Sequence, residues 1–90
     1  MDDLLKEIEA EQAKITVRGE TRRWSKPATL ILGLNPKTHN MKKIAGDLKR
    51  KLSTGGTVKD GYILIQGDWK SEVKEFLVKM GFNESSIEVV

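Results

Sequence analysis

His39 is the only histidine in the chain and cysteine is absent, so the side chains that most often do covalent or metal chemistry are nearly missing. A catalytic site needs a nucleophile beside a base, paired carboxylates in a pocket, or a set of metal ligands. Without thiols there is neither a disulfide framework nor a thiolate metal site. His39 lies between Thr38 and Asn40 just before a helix start, and the plain reading is a solvated loop histidine. Gly55-Gly56-Thr57 has the look of a phosphate-binding loop, yet that motif places Gly-Lys-Ser/Thr at the opening of a helix. Here the glycines close a helix and open a strand. The expectation is a non-enzyme with no catalytic residue, no cofactor and no metal.

The basic residues carry more information. Arg18, Arg22, Arg23 and Lys26 surround Trp24, a grouping of cations and a ring that can neutralise phosphates and stack on an unpaired base. A second group, Lys42, Lys43, Lys49, Arg50 and Lys51, falls largely opposite an apolar stripe of Met41, Ile44, Leu48 and Leu52. A charged helix face is commonly just a solvated one, so spacing alone leaves both an RNA role and a protein-interaction domain with solvated faces open. RNA is favoured over DNA because no recognition-helix motif is present. Trp24 could stack on a base or fold back as an anchor on the sheet edge. Trp69 reads as packing against a neighbouring loop.

The elements that would hold these residues follow from periodicity. Ninety residues, 38% hydrophobic and 32% charged, fit one small globular domain with a thin core. The formal charge of +3 understates the basicity of the main body, because Asp2, Asp3, Glu7, Glu9 and Glu11 oppose Lys6 alone at the start. Residues 1–13 read as a weakly ordered or short helical extension, and residues 14–90 as a single domain. Alternation predicts strands at about 14–19 and 28–33, joined by an exposed loop from Gly19 to Pro27. Asn40 should cap a helix that ends near Thr54-Gly55-Gly56, with Gly46 an internal cost of about 1 kcal/mol. Asp60-Gly61 suits a type I′ hairpin between Thr57-Val58-Lys59 and Tyr62 to Gln66. Asp68 should cap a second helix with Val73, Phe76, Leu77 and Met80 on its apolar face and Gly81 at its end. Ile87 and Val89 form a last strand. The β-β-α-β-β-α-β order predicts an α+β fold, a two-layer sandwich with both helices on one face of a small mixed or mainly antiparallel sheet. No apolar run is long enough for a spanning helix and Asp2-Asp3 does not open a signal stretch, so a cytoplasmic location without membrane contact is expected.

Three blocks together resemble the translation initiation factor 1 family, particularly its archaeal members. The most specific is Gly55-Gly56-Thr57-Val58-Lys59-Asp60-Gly61 followed by Ile63, Ile65 and Gln66-Gly67-Asp68. Thr21-Arg22-Arg23-Trp24-Ser25-Lys26 with Thr29 and Gly33-Leu34 is the second, and Lys74 to Gly81 with Phe82 and Ile87-Glu88-Val89 the third. The resemblance spans roughly residues 11–90. It implies a non-enzymatic, monomeric factor that binds the small ribosomal subunit near the decoding site, contacts its RNA beside the initiator tRNA, works with other initiation factors and enforces start-codon selection. It implies RNA contacts at Arg22, Arg23 and Lys26 in the first loop and at Lys42, Lys49 and Arg50 on the first helix, and a start-site fidelity role for Asp68. A related module acting in recycling, reinitiation or translational repression is the alternative. The chain departs from the family pattern in several places, among them the N-terminal cysteines of some archaeal relatives, which it lacks. Ser25 stands where many relatives have glycine, Thr54 where cysteine is common, Gly46 where some have lysine, and Trp69-Lys70 where His-Arg or Gln-Arg follows the aspartate.

Overall fold

A computed structural model describes residues 14–90, so the expected extension at 1–13 lies outside the described residues. The strands are β1 (Ile15–Arg22), β2 (Lys26–Leu32), β3 (Gly56–Lys59), β4 (Tyr62–Gln66) and β5 (Ile87–Val89), with α1 (Met41–Leu52) and α2 (Lys70–Lys79) between them. They form one mixed sheet in the order β3-β4-β2-β1-β5, in which only the β1–β5 pairing is parallel. The expected α+β order and two-layer architecture are therefore observed.

The pleat decides what each strand gives to the core. Val17, Ile31, Ile63 and Val58 face one another across the register and point towards the helices, as do Ile15 and Ile87. Met41, Ile44, Ala45 and Leu48 of α1 and Val73 and Leu77 of α2 close the other side. Each Ile, Leu or Val buried in this way contributes about 1.5–3 kcal/mol. The opposite sheet face carries a smaller cluster of Ala28, Leu30 and Leu64 with Leu32 and Tyr62 at its margin. Among the described residues no helix is long and apolar enough to cross a membrane.

Helix ends are set by local chemistry. The Asn40 side chain accepts the Lys43 N–H at 3.1 Å, the expected cap of α1. Its C-terminus is closed by Ser53 in the left-handed conformation (φ 51°) rather than by the glycines that follow, with Ser53 and Thr54 donating back to Arg50 and Lys49. Gly81 and Phe82 end α2 in the same manner, donating to Val78 and Leu77. Met80 is 44% exposed and does not join the predicted apolar face, because α2 stops at Lys79 and the chain turns there. Between β3 and β4 only Gly61 has positive φ (81°), so the turn is not the predicted type I′, which needs it at both central residues. His39 is half-buried with its ring 5.0 Å from that of Phe82, a packed residue rather than the solvated one expected.

Candidate nucleic-acid interface

The segment predicted as a long loop from Gly19 to Pro27 is a two-stranded ribbon. β1 and β2 stay in register through Glu20↔Ala28 and Thr21↔Pro27 to Arg22↔Lys26, leaving a tip of three residues, Arg23-Trp24-Ser25. Pairing continues where hydrophobic alternation has already stopped, since this stretch has no core to face. The tip turns because Trp24 and Ser25 both adopt positive φ, 65° and 57°. Such conformations cost an L-residue roughly 1–2 kcal/mol each. Ser25 thus adopts a left-handed conformation that glycine would take more easily.

The consequence is display. Arg22, Arg23, Trp24 and Lys26 are all exposed, and Trp24 is 89% exposed instead of folding back on the sheet edge. Arg22 makes one exposed contact with Glu20 at 3.5 Å, an interaction of marginal strength. Arg23 and Lys26 have no ion-pair partner among the described residues.

Below the ribbon, the Gln66-Gly67-Asp68-Trp69 turn is fixed by a compact set of hydrogen bonds. The Gly67 N–H donates to the Pro27 carbonyl at 2.9 Å, tying the turn to the ribbon's root. The hydroxyl of fully buried Thr29 donates to the Gly67 carbonyl at 2.8 Å and accepts the Trp69 N–H at 2.9 Å. One side chain therefore holds the backbone on both sides of Asp68, whose carboxylate stays exposed. The Gln66 carbonyl accepts from the Trp69 indole N–H at 2.8 Å and from the Thr54 hydroxyl at 2.9 Å. A side chain at Gly67 is excluded, because its Cβ would stand 2.3 Å from the Trp69 indole nitrogen at φ 105°. Asp68 is not the predicted helix cap: α2 begins at Lys70, the preceding position is Trp69, and no side chain caps it. Trp69 packs against the edge of the main core, where packing against a neighbouring loop was expected.

On α1 the apolar stripe turns inward and Lys42, Lys43 and Arg50 remain exposed, with Lys49 half-buried. Arg50 forms a surface pair with Asp47 one turn earlier. Lys51 leans over the Phe76 ring at 5.7 Å and so belongs to the packing between helices. The ribbon group lies with Gln66, Gly67 and Trp69, whereas Lys42 lies beside the β3–β4 turn at Asp60-Gly61. Thr29 and Thr54 were not recognised from sequence as site residues, since a threonine in an apolar run looks like any other strand residue.

Residues 11–83 match the family described as Translation initiation factor SUI1. This chain belongs to the SUI1 family of translation initiation factors. Curated relatives called protein translation factor SUI1 homolog are similar over most of their length. That of Cenarchaeum symbiosum is 46% identical over 83 residues, covering 92% of this chain and 81% of the relative. That of Sulfolobus acidocaldarius is 44% identical over 88 residues, covering 98% and 89%. The Pyrococcus furiosus relative is 43% identical over 90 residues, covering 99% and 92%. Membership of the SUI1 family places the chain's role in translation initiation.

Proposed function

We propose that this SUI1 family member binds the small ribosomal subunit near the decoding site and enforces start-codon selection as a non-enzymatic, cytoplasmic factor working beside other initiation factors. The observation that carries this reading is the ribbon, a hydrogen-bonded arm on which Arg22, Arg23, Trp24 and Lys26 are all exposed. Lys42, Lys49 and Arg50 on α1 supply a second set of cations for ribosomal RNA. Phosphate contacts of this kind give affinity without sequence information. Discrimination comes from the arm.

The mechanism is competition. The ribbon and the pinned Asp68 turn occupy space that a fully seated initiator tRNA also needs. A correct codon pairing holds the tRNA firmly and displaces the arm, while a mismatched one holds it weakly and loses. A difference of about 1.4 kcal/mol between the pairings changes relative occupancy tenfold. Pre-formed pairing in the ribbon lowers the ordering entropy that a floppy loop would lose on binding.

Assembly of initiation complexes on AUG and near-cognate codons, with and without the protein, tests this reading. The expected result is selective loss of near-cognate complexes when the protein is added. Equal complex formation on both codons, or failure of the protein to co-sediment with purified small subunits at low salt, would contradict it.

A further inference from the structure

The sheet has a step. β4 ends at Gln66, opposite Ala28, while β1 and β2 run on together to Arg22 and Lys26. A cleft of about 900 Å³ opens at that step, between the root of the ribbon and the ends of β3 and β4. Its floor is apolar: Ala28 and Leu64 are 3% and 7% exposed and belong to the smaller cluster on the sheet face away from the helices. Trp69 closes one side, its indole N–H already committed to the Gln66 carbonyl, so the ring offers the cleft surface rather than a donor. The lining is cationic, with Lys59 on β3 and Arg22, Arg23 and Lys26 on the ribbon, and Glu20 is the one carboxylate among these residues.

We propose that this cleft takes an unpaired nucleotide of single-stranded RNA, with the base lying on the Ala28–Leu64 floor beside Trp69 and the flanking phosphates held by Lys59 and the ribbon cations. The proposal rests on the RNA-binding reading above and deepens it, adding the cleft beneath the ribbon cations as the place where a base is held. Size agrees, since clefts of roughly 300–1,000 Å³ take up ligand groups of this scale. Chemistry agrees as well. An apolar floor with an aromatic wall and a basic rim is the arrangement by which single strands are held through stacking and backbone charge, with little regard for base identity. A duplex keeps its bases stacked inside and presents the cleft only with sugar and phosphate. It would meet the rim but not reach the floor.

The chain's only tryptophans are Trp24 and Trp69, so Trp24→Phe leaves Trp69 as a reporter at the cleft. Titrating that protein with oligouridylate should quench its emission saturably, and a blunt RNA duplex of equal length should bind at least tenfold more weakly. Lys59→Glu and Thr57→Glu, both at exposed positions on β3, should each raise the Kd for oligouridylate at least tenfold. Lys79→Glu, at the far end of α2 from Trp69, makes the same charge change as Lys59→Glu and should alter it less than twofold. Equal losses in Lys59→Glu and Lys79→Glu, duplex binding as tight as single-strand binding, or no quenching would overturn the cleft. Co-sedimentation of the same proteins with small subunits separates the two readings. Sedimentation without any oligouridylate binding removes the cleft and leaves the ribosomal reading standing.

Discussion

Thr29 shows how much a single hydroxyl can organise. It is fully buried, and its two hydrogen bonds bracket Asp68. Replacing it by valine keeps the shape but leaves the Gly67 carbonyl and the Trp69 N–H without their partner, at a cost of about 1–3 kcal/mol. Urea unfolding of Thr29→Val should show that loss, and start-codon discrimination should fall with it. Thr29→Ser should restore the discrimination and part of the stability, since it returns the hydroxyl but removes a buried methyl group worth about 0.8 kcal/mol. At the ribbon tip the reasoning runs the other way. Ser25 adopts φ 57°, so Ser25→Gly should stabilise the protein by about 1 kcal/mol in the same measurement. Neither position announces itself in the sequence: a buried threonine and a left-handed serine are recognised only when their partners and dihedrals are known.

The helices and central strands were legible because each has a core to face. Met41, Ile44, Ala45 and Leu48 repeat at helical spacing and all are buried, and Ile63 and Ile65 reach the same core from β4. The ribbon lacked that signal. Beyond Gly19 its residues are mostly exposed, so alternation disappears although backbone pairing continues. For the same reason the caps divided: Asn40 was readable because its side chain forms the cap, while the start of α2 is fixed by distant Thr29 and not by neighbouring Asp68. The middle of α1 offers a test at this scale. A Cβ at Gly46 would meet nothing within 4 Å, so Gly46→Ala should gain about 1 kcal/mol of helix propensity without a clash. Thermal unfolding should register it as a rise of roughly 4–8 °C in Tm.

The molecule as a whole divides its work between a packed body and displayed charge. The cations on α1 lie on the reverse of a face that the core holds, so removing them should change binding without changing the fold. Log affinity for small subunits should fall with log salt at a slope of roughly 0.7–0.9 per phosphate neutralised. Alanine at Lys42, Lys49 and Arg50 should flatten that slope and leave the unfolding midpoint almost unaltered. An unchanged slope would remove α1 from the RNA-facing surface. The central claim concerns the ribbon, and the measurement that reaches it most directly is start-codon discrimination by the Arg22→Ala, Arg23→Ala, Lys26→Ala triple variant in a reconstituted initiation assay. The account predicts that the variant stays folded and that near-cognate codons then initiate almost as readily as AUG. A folded variant that still rejects near-cognate codons as well as the parent protein would contradict it.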